Sequence, residues 1–178
     1  VRAEGDWSNA AFWLAAGALS RPVTVTGLQA ESAQGDRAIL EDLRRFGAEV
    51  EQNADAVTVR PAPLRGCSLD VRNTPDLAPP LALLAACAAG TTRITGAARL
   101  RYKESDRLAS IAAALRALAE RGKTRCTGVC AALCGEDGGY RYVMASETAD
   151  LRAAARSINA ALSGRGGGAS GMIQGSLL

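Results

Sequence analysis

Arg101-Tyr102-Lys103-Glu104-Ser105-Asp106-Arg107-Leu108 decides the reading of this chain. Three cations and two carboxylates crowd one short stretch, and an apolar-periodic run opens behind it. Ile111, Leu115 and Leu118 recur at helical spacing, so the cluster sits at a helix N-terminus. Free backbone N–H groups and the positive end of the helix dipole already favour an anion there. Lysine and arginine at that place make an anion site, and a carboxylate among them can move a proton. Taken alone, mixed charge at a helix start is more often a solvated first turn capped by a residue such as Ser105 or Asp106. The weight shifts because the cluster is one copy of a repeat.

The pairs Asp6/Asp76, Leu14/Leu84 and Asp36/Asp106 all stand 70 positions apart. Each copy reads as an acidic turn, an Ala/Leu-rich helix, a short strand with Val or Ile and Thr, a Gly turn, and an Asp-Arg helix start. The first copy continues with short strands at Ala48–Glu51 and Val57–Arg60, and Leu69–Val71 is a further strand. The unit is therefore βαβαββ-like, with short connections. A period this long implies a supersecondary module that packs against its siblings. The helices at Ala10–Leu19 and Leu77–Ala89 are apolar on nearly every face, which predicts burial all round, with helices inside a ring of sheets. Pro79 and Pro80 fall in a first helical turn, where a missing N–H costs little. The fold class expected is α/β, with residues 1–120 forming two repeats. Residues 121–178 change character and read as a degenerate or misread third repeat and tail, poorly packed beside 1–120. The Gly164–Gly168 run falls in it, and Asp150-Leu151-Arg152 echoes Asp76 at an offset of 74 instead of 70.

Composition narrows the chemistry. The chain has 178 residues, enough for one domain with a real core, and begins on Val1 as if mid-strand, which reads as a fragment. Aromatic residues make up only 4%, so Ala, Leu and Val build the core. The net charge of +3 argues for no nucleic-acid partner. No apolar run reaches bilayer length and no signal-peptide pattern opens the chain, so no membrane partner is expected and a cytoplasmic location is. Histidine is absent, which excludes a His-based triad and a His-ligated zinc site within these residues. Cys126, Cys130 and Cys134 recur at every fourth position. That spacing fits a stripe of small residues on a helix better than a zinc site, which wants closer pairs and a fourth ligand. With five cysteines and no secretory context, reduced thiols are expected.

The motifs resemble the enolpyruvyl transferases, and among them the 5-enolpyruvylshikimate-3-phosphate synthases (3-phosphoshikimate 1-carboxyvinyltransferases). The resemblance rests on Glu4-Gly5-Asp6-Trp7-Ser8-Asn9-Ala10, Gln34-Gly35-Asp36, Thr74-Pro75-Asp76 and Arg101–Leu108, in the family's order and separation, over about residues 1–120. Lys-Glu-Ser-Asp-Arg-Leu is its most specific part. The resemblance implies an inside-out α/β barrel of βαβαββ repeats, here incomplete, with two units of a C-terminal domain and no N-terminal domain. It also implies carboxyvinyl transfer from phosphoenolpyruvate to the 5-hydroxyl of shikimate-3-phosphate, with these two small molecules as partners. No metal or organic cofactor is expected, the full-length protein should be a monomer, and this chain alone should be inactive.

By position, Asp76 resembles the carboxylate that accepts the hydroxyl proton, and its bland alternative is a helix N-terminal acid. Glu104 resembles the acid that protonates the methylene carbon. Lys103 resembles the lysine contacting shikimate-3-phosphate and the reacting centre. Arg107 resembles a phosphoenolpyruvate ligand, a role that suits its bidentate fork. Arg99 stands where some members have Asn. Asp150-Leu151-Arg152 is the one remnant of the family's Asp-His-Arg segment. Asp36 and Arg37 occupy the positions of Asp106 and Arg107 in the first copy and are expected to be structural, with Asp36 as a cap, and Asp6 reads as a turn residue. Two other readings stay open: a transferase acting on UDP-N-acetylglucosamine, and a non-catalytic module that kept the repeat.

Overall fold

The computed structural model describes residues 3–122, 130–136, 139–161 and 163–177, with backbone alone at 120–122, 130–136, 139–141 and 177. The chain divides into two compact units, Val1–Ala97 and Ala98–Leu178.

The first unit runs α1 (Trp7–Leu19), β1 (Val23–Thr26), a 3₁₀ turn at Gly35–Ala38, α2 (Ile39–Phe46), β2 (Glu49–Gln52), β3 (Ala56–Arg60), β4 (Ser68–Asp70), a 3₁₀ turn at Pro75–Leu77, α3 (Ala78–Cys87) and β5 (Arg93–Thr95). A three-stranded antiparallel sheet has the order β1-β3-β2, with Val23 opposite Val59 and Val25 opposite Val57. Val57 and Val59 alternate inward and are fully buried, the period expected of a strand with one covered face. A second, parallel pair joins β4 to β5 with Leu69 opposite Ile94. Trp7, Leu14, Ile39, Leu43, Phe46 and Leu81 form the body of the core. Gly27 and Gly96 follow β1 and β5 with φ of 82° and 74°, the left-handed region that glycine enters without strain. A Cβ on Gly96 would also collide with the Asp70 carboxylate, so the Gly turn of each copy is a backbone requirement.

The second unit opens with a 3₁₀ turn at Ala98–Tyr102 and continues with α4 (Arg107–Gly122), β6 (Cys130–Glu136), β7 (Gly139–Ala145), α5 (Leu151–Ala161), β8 (Gly164–Ala169) and β9 (Met172–Leu177). All pairings in its sheet, β6-β7-β9-β8, are antiparallel. Tyr142, Leu151, Ala155 and Ile173 form a small buried cluster, with Met144 and Ile158 packed against it. Tyr142 stands in register with Gly175 on β9, which in turn pairs with Gly166 on β8. A Cβ on either glycine would strike the Tyr142 ring or hydroxyl, so this lateral row needs glycine for the tyrosine to lie across it. The Tyr142 hydroxyl donates to Asn159 Oδ1 at 2.8 Å, and Asn159 Nδ2 donates to the Gly166 carbonyl at 3.0 Å.

The order β4-α3-β5-α4-β6-β7 is the βαβαββ unit expected, and α1-β1-α2-β2-β3 repeats it from its first helix. Two expectations need correction. First, α1 is not buried all round: Phe12 and Trp13 are 51% and 66% exposed, and Leu83 on the otherwise largely covered α3 is also exposed. Second, Cys130 and Cys134 lie on the strand β6, so they belong to no helical stripe; Cys126 falls outside the described residues. Among the described residues after Ala119, β6, β7, β9 and β8 pair as one antiparallel sheet. Ile111, Leu115 and Leu118 do lie on the helix α4, where Leu108 and Ala119 are buried, Ile111 and Leu115 half-buried and Leu118 exposed. Among the described residues, no helix is long and apolar enough to cross a membrane.

Candidate active site

Asp106 stands immediately before α4 and caps it. Its Oδ1 accepts the Ala109 N–H at 3.0 Å, and its carbonyl accepts the Ser110 N–H and hydroxyl at 3.1 and 3.2 Å. This satisfies the orphan donors of the first turn and fixes the direction in which the preceding residues leave the helix. Arg107, the first helical residue, donates from Nη2 to Glu104 Oε2 at 3.1 Å. The Arg107 side chain is 29% exposed and that of Glu104 81% exposed, so the guanidinium is the anchored partner and the carboxylate the open one. Lys103 is half-buried in the same turn. The Glu104 carboxyl is held below its ordinary range, first by a hydrogen bond from its own backbone amide, then by the Arg107 guanidinium, with Lys103 adding a smaller pull. Lys103, Glu104 and Arg107 are thus gathered in one turn, two cations around one ionised carboxylate.

Asp76 belongs to the first unit. It lies half-buried in the 3₁₀ turn Pro75–Leu77 that leads into α3, between Thr74, which is buried, and Leu77, which is fully buried. The turn is closed by the Leu77 N–H donating to the Thr74 carbonyl at 3.0 Å. Leu77 itself holds the cap position of α3, with no side-chain cap bond, and Pro79 and Pro80 occupy the first turn as the sequence predicts. Arg99 is exposed in the 3₁₀ turn that precedes the cluster.

The repeat equivalents diverge in what they do. Asp6 caps α1 through Oδ1, accepting the Ser8 and Asn9 N–H groups at 2.9 and 3.4 Å. Asp36 does not cap α2, contrary to the expectation from its match to Asp106. The cap position there is Ala38, without a side-chain bond, and Asp36 instead accepts the Ser8 hydroxyl. Asp36 itself lies in the 3₁₀ turn Gly35–Ala38 that leads into α2, and its carboxylate makes no bond to the helical N–H groups. Sequence reasoning also missed Gln34. Its Oε1 accepts the Trp7 N–H at 3.0 Å and its Nε2 donates to the Gly5 carbonyl at 2.9 Å, tying the Gln-Gly-Asp turn to the Glu-Gly-Asp turn. The co-occurrence of the two motifs was the available signal. Asp150 caps α5, accepting the Arg152 and Ala153 N–H groups at 3.1 and 3.2 Å, so the Asp150-Leu151-Arg152 echo is a true helix start. Among the described residues, no group of three or more Cys, Asp or Glu side chains could hold a metal ion.

The model of the EPSP synthase (3-phosphoshikimate 1-carboxyvinyltransferase) family matches residues 1–166. The chain is 48% identical over 112 residues to the 3-phosphoshikimate 1-carboxyvinyltransferase of Clostridium kluyveri, an alignment covering 63% of this chain and 26% of that protein. It is 42% identical over 160 residues to the enzyme of the same name from Methanocorpusculum labreanum, covering 85% of this chain and 38% of that one. The chain thus spans between 26% and 38% of the length of these two relatives. Among solved structures, the EPSP synthase of Acinetobacter baumannii superposes with a TM-score of 0.53 at 25% identity, over 74% of this chain and 30% of that one. The fold is that of the enolpyruvyl transferases, the inside-out α/β class, present in part. With its repeat, its Lys-Glu-Ser-Asp-Arg-Leu helix start and this match over 166 residues, the chain belongs to the EPSP synthase family.

Proposed function

We propose that this chain carries part of the active site of a 3-phosphoshikimate 1-carboxyvinyltransferase, which joins phosphoenolpyruvate to the 5-hydroxyl of shikimate-3-phosphate and releases phosphate. One observation carries the reading: the Lys103–Leu108 segment forms the entry to α4 with Arg107 and Glu104 paired at 3.1 Å. In this reading, Asp76 accepts the proton of the attacking hydroxyl as its oxygen bonds to C2 of phosphoenolpyruvate. Glu104 gives a proton to C3, and a tetrahedral intermediate results. Loss of a proton from C3 and of phosphate from C2 then restores the vinyl group. Lys103 and Arg107 neutralise the phosphate and carboxylate charges of the substrates.

The Glu104–Arg107 pair imposes an order on these steps. A carboxylate held ionised is a poor proton donor. An anion that takes over the Arg107 fork removes one of the charges depressing the Glu104 carboxyl and sets a like charge beside it, and both changes favour protonation. Substrate binding thereby prepares the acid. The proposal includes a cytoplasmic, monomeric full-length protein whose partners are these two small molecules, with neither nucleic acid nor membrane involved, and two repeats, the second extending past residue 120 through β7, followed by a diverged third.

The test uses a polypeptide that holds this chain within the full length of its relatives. Glu104→Gln should lower kcat by roughly 10²-fold or more with little change in KM, because shape is kept and the proton is lost. Arg107→Ala should raise KM for phosphoenolpyruvate by about tenfold or more, the loss expected of a charged hydrogen bond. Unchanged turnover in Glu104→Gln removes Glu104 from the mechanism.

A further inference from the structure

The second unit holds a cleft of about 670 Å³ between α4 and the β7–β9 sheet, outside the Glu104–Arg107 pair. Its volume falls in the range of small-molecule sites. It is open for a local reason. Between Leu108 and Arg116, the flank of α4 that borders it carries Ala109, Ala112 and Ala113, and the opposite wall includes Gly175, so the middle of the gap is left unfilled by side chains. The Tyr142 ring forms its floor, and that ring is fixed by the bond of its hydroxyl to Asn159.

The polar lining is strongly one-sided. Arg101 before α4, Arg116 on α4 and Arg165 on β8 all border the cleft, and three separate elements supply them. Among the described residues, Asp106 is the one carboxylate in the lining, and its oxygen already accepts the Ala109 N–H as the helix cap. Among the described residues, Arg116 and Arg165 form no ion pair. Guanidinium groups stay charged at all working pH values and hold phosphate oxygens through paired N–H donors. The remaining lining is apolar on the helix side, with alanine methyls and Leu108, and mixed on the sheet side, where Val143 and the tyrosine ring stand beside Gln174 and Ser176.

We propose that this cleft binds a small organic phosphate, with the phosphate held by Arg116 and Arg165, Arg101 at the entrance, and a flat apolar body resting against the alanine flank of α4 and Tyr142. The site borders the turn at Asp106 but leaves Lys103, Glu104 and Arg107 outside its lining, and it does not depend on the transferase reading.

The test is an NMR titration of the 178-residue chain with phenyl phosphate, inorganic phosphate and benzyl alcohol, observing arginine Nε–H and backbone signals. Phenyl phosphate should saturate, shift the signals of Arg116, Arg165 and Gln174, and bind more tightly than inorganic phosphate; benzyl alcohol should not saturate. Arg165→Gln, at an exposed strand position, should weaken phenyl phosphate by roughly tenfold or more, and Arg116→Gln likewise. Arg107→Gln and Lys103→Gln should leave the affinity within about twofold, since they are outside the cleft. Chemical-shift dispersion in each variant reports folding, and the signal map in the unaltered chain stands if a variant does not fold. Equal affinity for phenyl and inorganic phosphate would overturn the organic-phosphate assignment. Shifts confined to residues 103–107, or loss of binding in Arg107→Gln with none in Arg165→Gln, would overturn the site.

Discussion

At the scale of single residues, two carboxyl groups are displaced from their ordinary range in opposite directions. Glu104 is lowered by its own amide and by Arg107. Such a group favours the native state above its unfolded pKa and loses that contribution as pH falls through its folded one. For a side chain this exposed, the observable is the titration itself, not stability. Arg107→Gln should therefore move the Glu104 carboxyl upward toward its ordinary value in a ¹³C NMR titration, and Glu104 titrating identically with and without Arg107 would mean the pair is not formed in solution. Asp42 on α2 is raised, first by burial, against a partial opposing pull from Arg45. The sign is reversed here: a raised folded pKa favours the native state below the unfolded value of about 3.9 and loses that advantage as pH climbs through the folded one. Asp42→Asn should raise the Tm at neutral pH, and the gain should vanish in acid below that value, where the unaltered carboxyl is already neutral.

At the scale of elements, the aspartates that close helix N-termini and the glycines that permit close approach do separate jobs. Asp6 and Asp150 each cap a helix through a carboxylate oxygen. Replacing either with Ala should cost about 1 kcal/mol, with Asn recovering most of it, since the amide oxygen accepts the same bonds. Urea denaturation followed by circular dichroism measures both. In the β8–β9 hairpin, Gly175→Ala sets a methyl against the Arg165 carbonyl and the Tyr142 ring. Overpacking of this kind costs roughly 1–3 kcal/mol. The expected sign is loss of the dispersed Tyr142 and Ile173 signals with little change in α1. Gly167→Ala, where the added atom meets nothing within contact distance, is the matched control.

At the scale of the whole molecule, the two compact units differ in what holds them. The first has a broad core of large side chains, from Trp7 to Leu84. The second rests on the small cluster around Tyr142 and Ile173 together with ladder hydrogen bonds. Fewer buried apolar contacts give less protection against local opening. Amide exchange should accordingly be faster in β8 and β9 than in Leu77–Ala89, and equal protection would show the second unit to be as firmly packed as the first. The chain alone should release no phosphate from phosphoenolpyruvate in the presence of shikimate-3-phosphate. Transfer between two anionic substrates requires both to be enclosed by cations, and positioning can supply on the order of 7–11 kcal/mol of the barrier. Measurable release by the 178 residues by themselves would overturn that expectation.

The sequence by itself determined the repeat, the order of its elements and the residues gathered at the start of α4. These are short-range matters. A 70-residue offset, a helical period and a charged first turn are written in neighbouring side chains, and the backbone obeys them with little help. The tertiary structure alone decided which equivalent residue does which task. Asp106 caps while Asp36 reaches across to Ser8, because Asp36 is taken up in a 3₁₀ turn ahead of its helix and the position of Ser8 depends on how α1 meets the Gln34 turn. It also decided that the glycine-rich run is a strand. Its own side chains carry no pattern, and the partner that orders it is Tyr142, brought alongside by pairing through β9. The cationic cleft belongs to the same class. Arg116 and Arg165 are ordinary surface charges in sequence, and only the approach of α4 to the sheet sets them with Arg101 around one space.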